Sequence, residues 1–367
     1  MSATLELCLV LSVVAVACAL PGAFLVLRRA AMTSDAIGHV LLFGIVLAYF
    51  ATRDLDSPWL LFGAAAAGVL AVVLVETLEK SGRVKSDAAL GLVFAVLFAA
   101  GVLMVSVSVK NVHLDVDQVL LGQPDYATQP RWEVFGTAIR PVWVMTAVLA
   151  MNLLLITFFF KELKLSTFDP GLAATLGFRP ALIHYGLMTV VSITAVAAFD
   201  AVGPVLVVGF FVVPAAAAFL LTDRLGVMLV LASAFGVVAA FAGTLAADTF
   251  NTTTAGAVAA ALGLLFAIVF LVAPGRGLIA QRVQELHQKR VFHELMLAVH
   301  LMQHEGTPEE QEESRLAGLH QHLSWTPTQV ARVVARAERN GLVVRSGELL
   351  KLTDIGRAKA REVLGSA

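Results

Sequence analysis

The chain has 367 residues, 58% of them hydrophobic and only 14% charged, with a net charge of −1 and two cysteines. That apolar excess excludes an ordinary soluble globular protein, and apolar runs of about 20 residues recurring over the first three quarters indicate a polytopic membrane protein. No G-x-x-x-x-G-K-[ST] phosphate loop occurs, which excludes P-loop ATP hydrolysis by this chain, and Cys8 and Cys18 lie ten residues apart in one apolar run, where a bridge is geometrically impossible.

Met1 to Glu6 carries no positive charge and Arg28-Arg29 follows the first apolar run, the reverse of a signal peptide, so this run is expected to be a retained helix. Nine uncharged or nearly uncharged runs follow the chain: Leu7–Leu27, Thr33–Phe50, Pro58–Val75, Ala88–Val109, Pro141–Phe160, Pro180–Phe199, Ala201–Thr222, Leu225–Ala247 and Thr252–Ala273. Each can cross about 30 Å of hydrocarbon at about 1.5 Å per residue. The seventh is interrupted by Gly203, Pro204, Gly209 and Pro214 and is expected as one span or as two half-helices. Placing the amino terminus outside puts ten basic residues, Arg28 and Arg29 through Arg276, on the cytoplasmic side against Arg53, Lys110, Arg131 and Arg140 outside. The tail is then cytoplasmic, and Asn111 to Arg140 forms a sizeable external segment containing His113 and Asp115.

The second run, Met32 to Phe50, carries Asp35 and His39, four residues apart and therefore on one helix face. With Arg29 at the interface, Asp35 lies about 9 Å and His39 about 15 Å into the membrane at helical rise. An aspartate there is costly unless it faces a bundle interior, a water path or an ion. A carboxylate with an imidazole suits manganese, iron or zinc; a helix cap at Thr33-Ser34-Asp35 with an interhelical hydrogen bond from His39 is the other reading of the same residues. Between the fifth and sixth runs, Asp169 and Pro170 open a short amphipathic helix and Gly177 closes it. It is too short to span and must lie on the cytoplasmic face, where a motor protein could dock.

From Ala280 onward there are 12 Lys and Arg and 11 Asp and Glu, so the tail is a separate, nearly neutral polar domain: residues 1–279 form the membrane domain and 280–367 the cytoplasmic one. Its pattern predicts helices at Arg282–Gln303, Glu312–Leu323 and Thr326 to Asn340, strands at Leu342–Val344 and Leu349–Leu352, and a last helix at Asp354–Leu364. Helices followed by a hairpin and a helix make a winged-helix pattern. Gln329, Arg332, Arg336 and Arg339 would then be recognition-helix positions, but a tail net charge of about +1 argues against DNA as the partner. Six of the nine histidines lie here, and His293, His300 and His304 fall near one stripe, either as exposed polar residues or as a regulatory metal site. His184 is expected to be a polar anchor at the cytoplasmic interface.

Residues 5–278 resemble the integral-membrane permeases of the manganese, zinc and iron class of ABC transporters. The likeness rests on Arg29 with Ser34–His39, on Gly82–Asp87, on Phe168–Pro170 with Leu176-Gly177, on Gly203–Ala218, and on Gly243-Thr244, Asn251 and Gly256-Ala257. The chain departs from the family at Phe43, where a proline is usual. The tail is similar to metal-dependent repressors. The resemblance implies an all-α polytopic protein of about nine spans with a small α+β winged-helix-like extension, working as a non-enzymatic transport subunit. It implies a second permease subunit, homodimeric or heterodimeric, two cytoplasmic ATP-binding subunits, an external metal-binding solute protein and a lipid setting. The transported Mn2+, Zn2+ or Fe2+ would pass Asp35 and His39, no cofactor would be held permanently, and Asp169, Pro170, Leu176 and Gly177 would couple to the ATPase. Two rivals are a permease for metal chelates such as siderophores or cobalamin and a membrane-anchored metal-responsive regulator.

Overall fold

The computed structural model describes residues 3–53, 59–108 and 140–365. The external segment expected at Asn111–Arg140, with His113 and Asp115, lies outside the described residues apart from Arg140. The chain divides into two compact units, Met1–Arg276 and Gly277–Ala367.

The first unit is entirely helical where described: α1 (Ala3–Leu27), α2 (Met32–Thr52), α3 (Trp59–Lys80), α4 (Ser86–Ser108), α5 (Arg140–Phe158), α6 (Phe160–Phe168), α7 (Pro170–Thr175), α8 (Pro180–Val202), α9 (Pro204–Leu221), α10 (Leu225–Phe250) and α11 (Thr254–Val272). Among the described residues eight helices are long and apolar enough to cross a membrane, and a ninth crossing results only if α5 and α6 count together across their 73° bend. The seventh run forms one helix, α9, from Pro204 onward with Pro214 inside it, while Ala201 and Val202 end α8; Gly203, at φ +81, separates the two without any polar loop. An apolar stretch needs no loop to divide when a glycine takes the left-handed turn.

The bundle is built around α1, the most deeply buried of the eight spans among the described residues, whereas α11 is the most exposed. It packs on α10, α9, α5 and α8, and its Val10, Leu11, Val14 and Phe24 are wholly enclosed. Asn152 of α5 is also wholly buried, donating to Ala17 O and Thr194 Oγ1 at 3.0 Å each, which ties α1, α5 and α8 together with no polar group left over on its amide nitrogen. Helices α2, α3 and α4 form a second group joined to the first mainly through α8. There α2 and α3 run almost backbone to backbone: a Cβ at Gly63 would lie 2.6 Å from Ala48 Cβ and 2.7 Å from Gly44 O. This close approach fixes α2, the helix that carries Asp35 and His39.

The second unit contains α12 (Leu278–His304), two single turns α13 (Glu310–Glu313) and α14 (Leu319–His322), α15 (Pro327–Arg339), the antiparallel hairpin β1 (Val343–Ser346) and β2 (Leu349–Leu352), and α16 (Asp354–Gly365). Its own core gathers Leu297, Leu301, Leu319, Val333, Leu342 and Leu350. The helix expected over Glu312–Leu323 is absent as such. Ser314 O accepts from Leu350 N at 3.0 Å and Leu316 N donates to Glu348 O at 3.1 Å, so the backbone here pairs with the hairpin instead of continuing a helix. By contrast α15 starts where its local signal puts it, with Thr326 and Gln329 in a reciprocal capping box and Pro327 in the first turn.

Candidate functional site

Helix α2 starts after a tight reversal in which Arg29 adopts φ +58. Ser34 Oγ donates to Ala31 O at 2.8 Å, and the helix end carries no side-chain cap, so Asp35 is not a capping residue. Asp35 Oδ1 and His39 Nε2 sit 3.6 Å apart with side chains 52% and 39% exposed. That distance is too long for a hydrogen bond and close to the separation of two donors on one metal ion. The His39 ring rests against Phe94 at 5.3 Å and edge-on to Phe98 at 5.8 Å, both from α4. One side of the pair is thus walled by aromatic rings while the other is open on the surface of this subunit. Buried Ile37, Val40 and Leu41 hold the opposite face of α2 in the bundle.

A second polar assembly lies at the helix ends near Arg28. Glu76 Oε1 is 2.8 Å from His184 Nε2, while Glu76 Oε2 accepts from Tyr185 Oη at 2.6 Å and from Lys80 Nζ at 3.0 Å. Arg28 meets His184 Nδ1 at 3.2 Å and donates to Ser166 Oγ at 2.8 Å and Thr167 Oγ1 at 3.1 Å. Because a guanidinium can only donate, the His184 proton in this arrangement sits on Nε2, facing Glu76. The assembly borders a cavity of about 220 Å3 lined also by Thr33, Glu79 and Asp87. His184, expected from sequence as a polar anchor, is the middle of a chain joining α3, α8 and α6; a local signal for its partner was a glutamate, Glu76, in the last turns of an apolar helix.

Two residues beyond Thr167, Asp169 Oδ1 accepts from Leu172 N at 2.8 Å and caps α7, whose first residue is Pro170; Gly177 ends the segment at φ +88. Phe168, Leu172 and Leu176 stand exposed around it, an apolar rim on an otherwise short helix.

In the second unit the structure brings His300 and His304 together, ring centroids 5.0 Å apart, but leaves His293 out, edge-on to Trp325 at 5.3 Å. Seven residues return to nearly the same helix face but climb about 10 Å, beyond the span of one metal site. Glu313 and His322 approach His300 instead, from turns that no helical pattern links to α12. Of the recognition-helix candidates, Arg336 turns toward Glu294 of α12, with Nε 3.8 Å from its carboxylate, while Arg332 and Arg339 donate to carbonyls of their own helix. With Arg290 these three line an open groove.

The family description of ABC 3 transport proteins matches residues 2–273, nearly the whole helical bundle. The chain belongs to the ABC 3 transport family. Within that family it is 48% identical to the zinc transport system membrane protein TroD of Treponema pallidum (strain Nichols) over 98% of both chains, a match that runs through the C-terminal unit. It is 44% identical to the manganese transport system membrane protein MntD of Bacillus subtilis (strain 168) over 76% of this chain and 94% of MntD. The solved structure of PsaBC from Streptococcus pneumoniae in complex with Fab superposes with a TM-score of 0.65 at 28% identity, covering 78% of this chain and 96% of that one. This ABC 3 family member is thus a mostly helical multi-pass membrane protein of a transport system.

Proposed function

We propose that the chain is the membrane permease subunit of an ATP-driven importer for a divalent transition metal, of which zinc and manganese are carried by the systems of its relatives. The observation that carries this reading is the family match over residues 2–273 in a chain whose second helix places Asp35 and His39 3.6 Å apart on a half-exposed face. Two ligands make a weak site, as a path requires, since the ion must also leave. A second permease subunit packed over that open face would complete the shell and bury the costly carboxylate. ATP would be hydrolysed by separate subunits docking on the exposed apolar rim of Asp169–Gly177, and an external binding protein would deliver the metal. The amino terminus faces outward in this reading, and residues 277–367 form a cytoplasmic domain of winged-helix type. The network from Glu76 through His184 and Arg28 to Ser166 then lies between the path and the docking helix.

The test is metal uptake into proteoliposomes containing the whole complex, across a panel of divalent ions, for Asp35→Ala and His39→Ala. Uptake should fall at least tenfold in each variant with insertion and ATPase association unchanged. Unaltered uptake in both would overturn the path.

A further inference from the structure

Three elements of the second unit converge on one carboxylate. His300 and His304 project from α12 one turn apart, Glu313 closes α13, and His322 closes α14. Glu313 Oε2 lies 3.3 Å from His300 Nε2 and 2.9 Å from His322 Nδ1. One donor atom from each of His300, His304 and Glu313 falls within 4.8 Å of the others, and His300 and His322 stack at 6.1 Å. Glu309 Oε2 stands 3.8 Å from His304 Nδ1 at the edge of the group.

The decisive detail is Glu313 Oε2 itself. It is shut off from solvent, and although two imidazole nitrogens approach it, neither meets it with hydrogen-bond geometry. A buried carboxylate oxygen without a donor is expensive, on the order of 1–3 kcal/mol or more. His300 Nε2 also faces the Glu313 carbonyl oxygen at 3.4 Å; imidazole nitrogens and a carboxylate oxygen gathered this closely form a set that can act as ligands around a cation. The backbone holds them there: Ser314 and Leu316 are pinned to the hairpin, and the C-terminal part of α12 is anchored in the core by Leu297 and Leu301.

We propose that His300, His304, Glu313 and His322 bind one divalent transition-metal ion, a site separate from Asp35 and His39. Three imidazoles and one carboxylate are a borderline nitrogen-rich set that selects zinc over calcium or magnesium. In a tetrahedron with metal–ligand distances of about 2.0–2.1 Å the edges are about 3.3 Å, the separation found between His300 Nε2 and Glu313 Oε2. His304 has to swing inward, and His322, whose Nδ1 lies 2.9 Å from Glu313 Oε2, has to turn to face the same point. The ion would staple α13, which buries no residue of its own, and the end of α14 onto α12.

The experiment uses the full chain in detergent carrying Asp35→Ala and His39→Ala, so that the membrane pair contributes nothing and the outcome is independent of the transport path. After dialysis against Zn2+, one ion per chain should remain, and Co2+ should give the absorption spectrum of a tetrahedral site. His300→Ala with His304→Ala should reduce retention to background. Glu313→Gln, which preserves shape, should weaken binding at least tenfold. Absence of a retained ion in the chain with the cluster intact, or equal retention after the double substitution, would overturn the proposal.

Discussion

Glu76 engages partners through both oxygens of its carboxylate: His184 on one, Tyr185 and Lys80 on the other, with the side chain only 20% exposed. Glu76→Gln keeps the size and removes the charge, leaving His184 and Lys80 facing an amide. The substitution should cost about 1–3 kcal/mol, read as a lower unfolding midpoint in detergent; an unchanged midpoint would show that the network contributes nothing to the bundle. Its discovery required the fold, whereas Asp35 and His39 did not. An ionisable pair four residues apart in an apolar run stands out because both the lipid cost and the helical repeat are local. Glu76 and His184 are distant in sequence, as are His300 and Glu313, and no periodicity relates them. The same limit explains why His293 looked like a neighbour of His300: a stripe records angle and omits rise.

Single elements were readable where their ends are determined by adjacent residues. Asp169 with Pro170, and Thr326 with Pro327 and Gln329, each satisfy the first amides of their helices from within a few positions. Elements whose fate depends on distant partners were not, as the segment around Ser314 shows by pairing with the hairpin. The fifth apolar run is similar, because its composition continues smoothly through Phe158 to Phe160 while the backbone turns. For α7 the cap gives a direct test. Asp169→Ala should remove about 1 kcal/mol of helix stability and, in the assembled complex, lower the ATPase activity stimulated by the loaded binding protein, with membrane insertion unchanged. Full stimulation in that variant would exclude α7 as the docking element.

At the scale of the whole chain, the membrane bundle and the C-terminal unit each close their own hydrophobic core. Independent cores predict independent folding. A chain ending at Ile279 should insert, assemble and take up metal, while losing the ion proposed for the His300 cluster. Loss of all uptake by a correctly assembled truncated complex would show that the second unit is required for transport. The division into an apolar and a polar piece is plain in the sequence because charge is so unevenly distributed, nearly half of it lying beyond residue 279. How the helices of the bundle choose neighbours is not, since nearly every face is equally greasy and small residues such as Gly44 and Gly63 decide the contacts.

The 73° corner at Phe159 turns α6 into a crank. The arm from that corner to Phe168 is about 13 Å long at helical rise, so a rotation of ten degrees sweeps its far end through about 2 Å. The two hydroxyls that grip Arg28 ride near that end, at Ser166 and Thr167. A displacement of that size exceeds the tolerance of either hydrogen bond. If α7 is the docking element proposed above, a force of modest travel there would reach Arg28 as the breaking or remaking of these two hydrogen bonds.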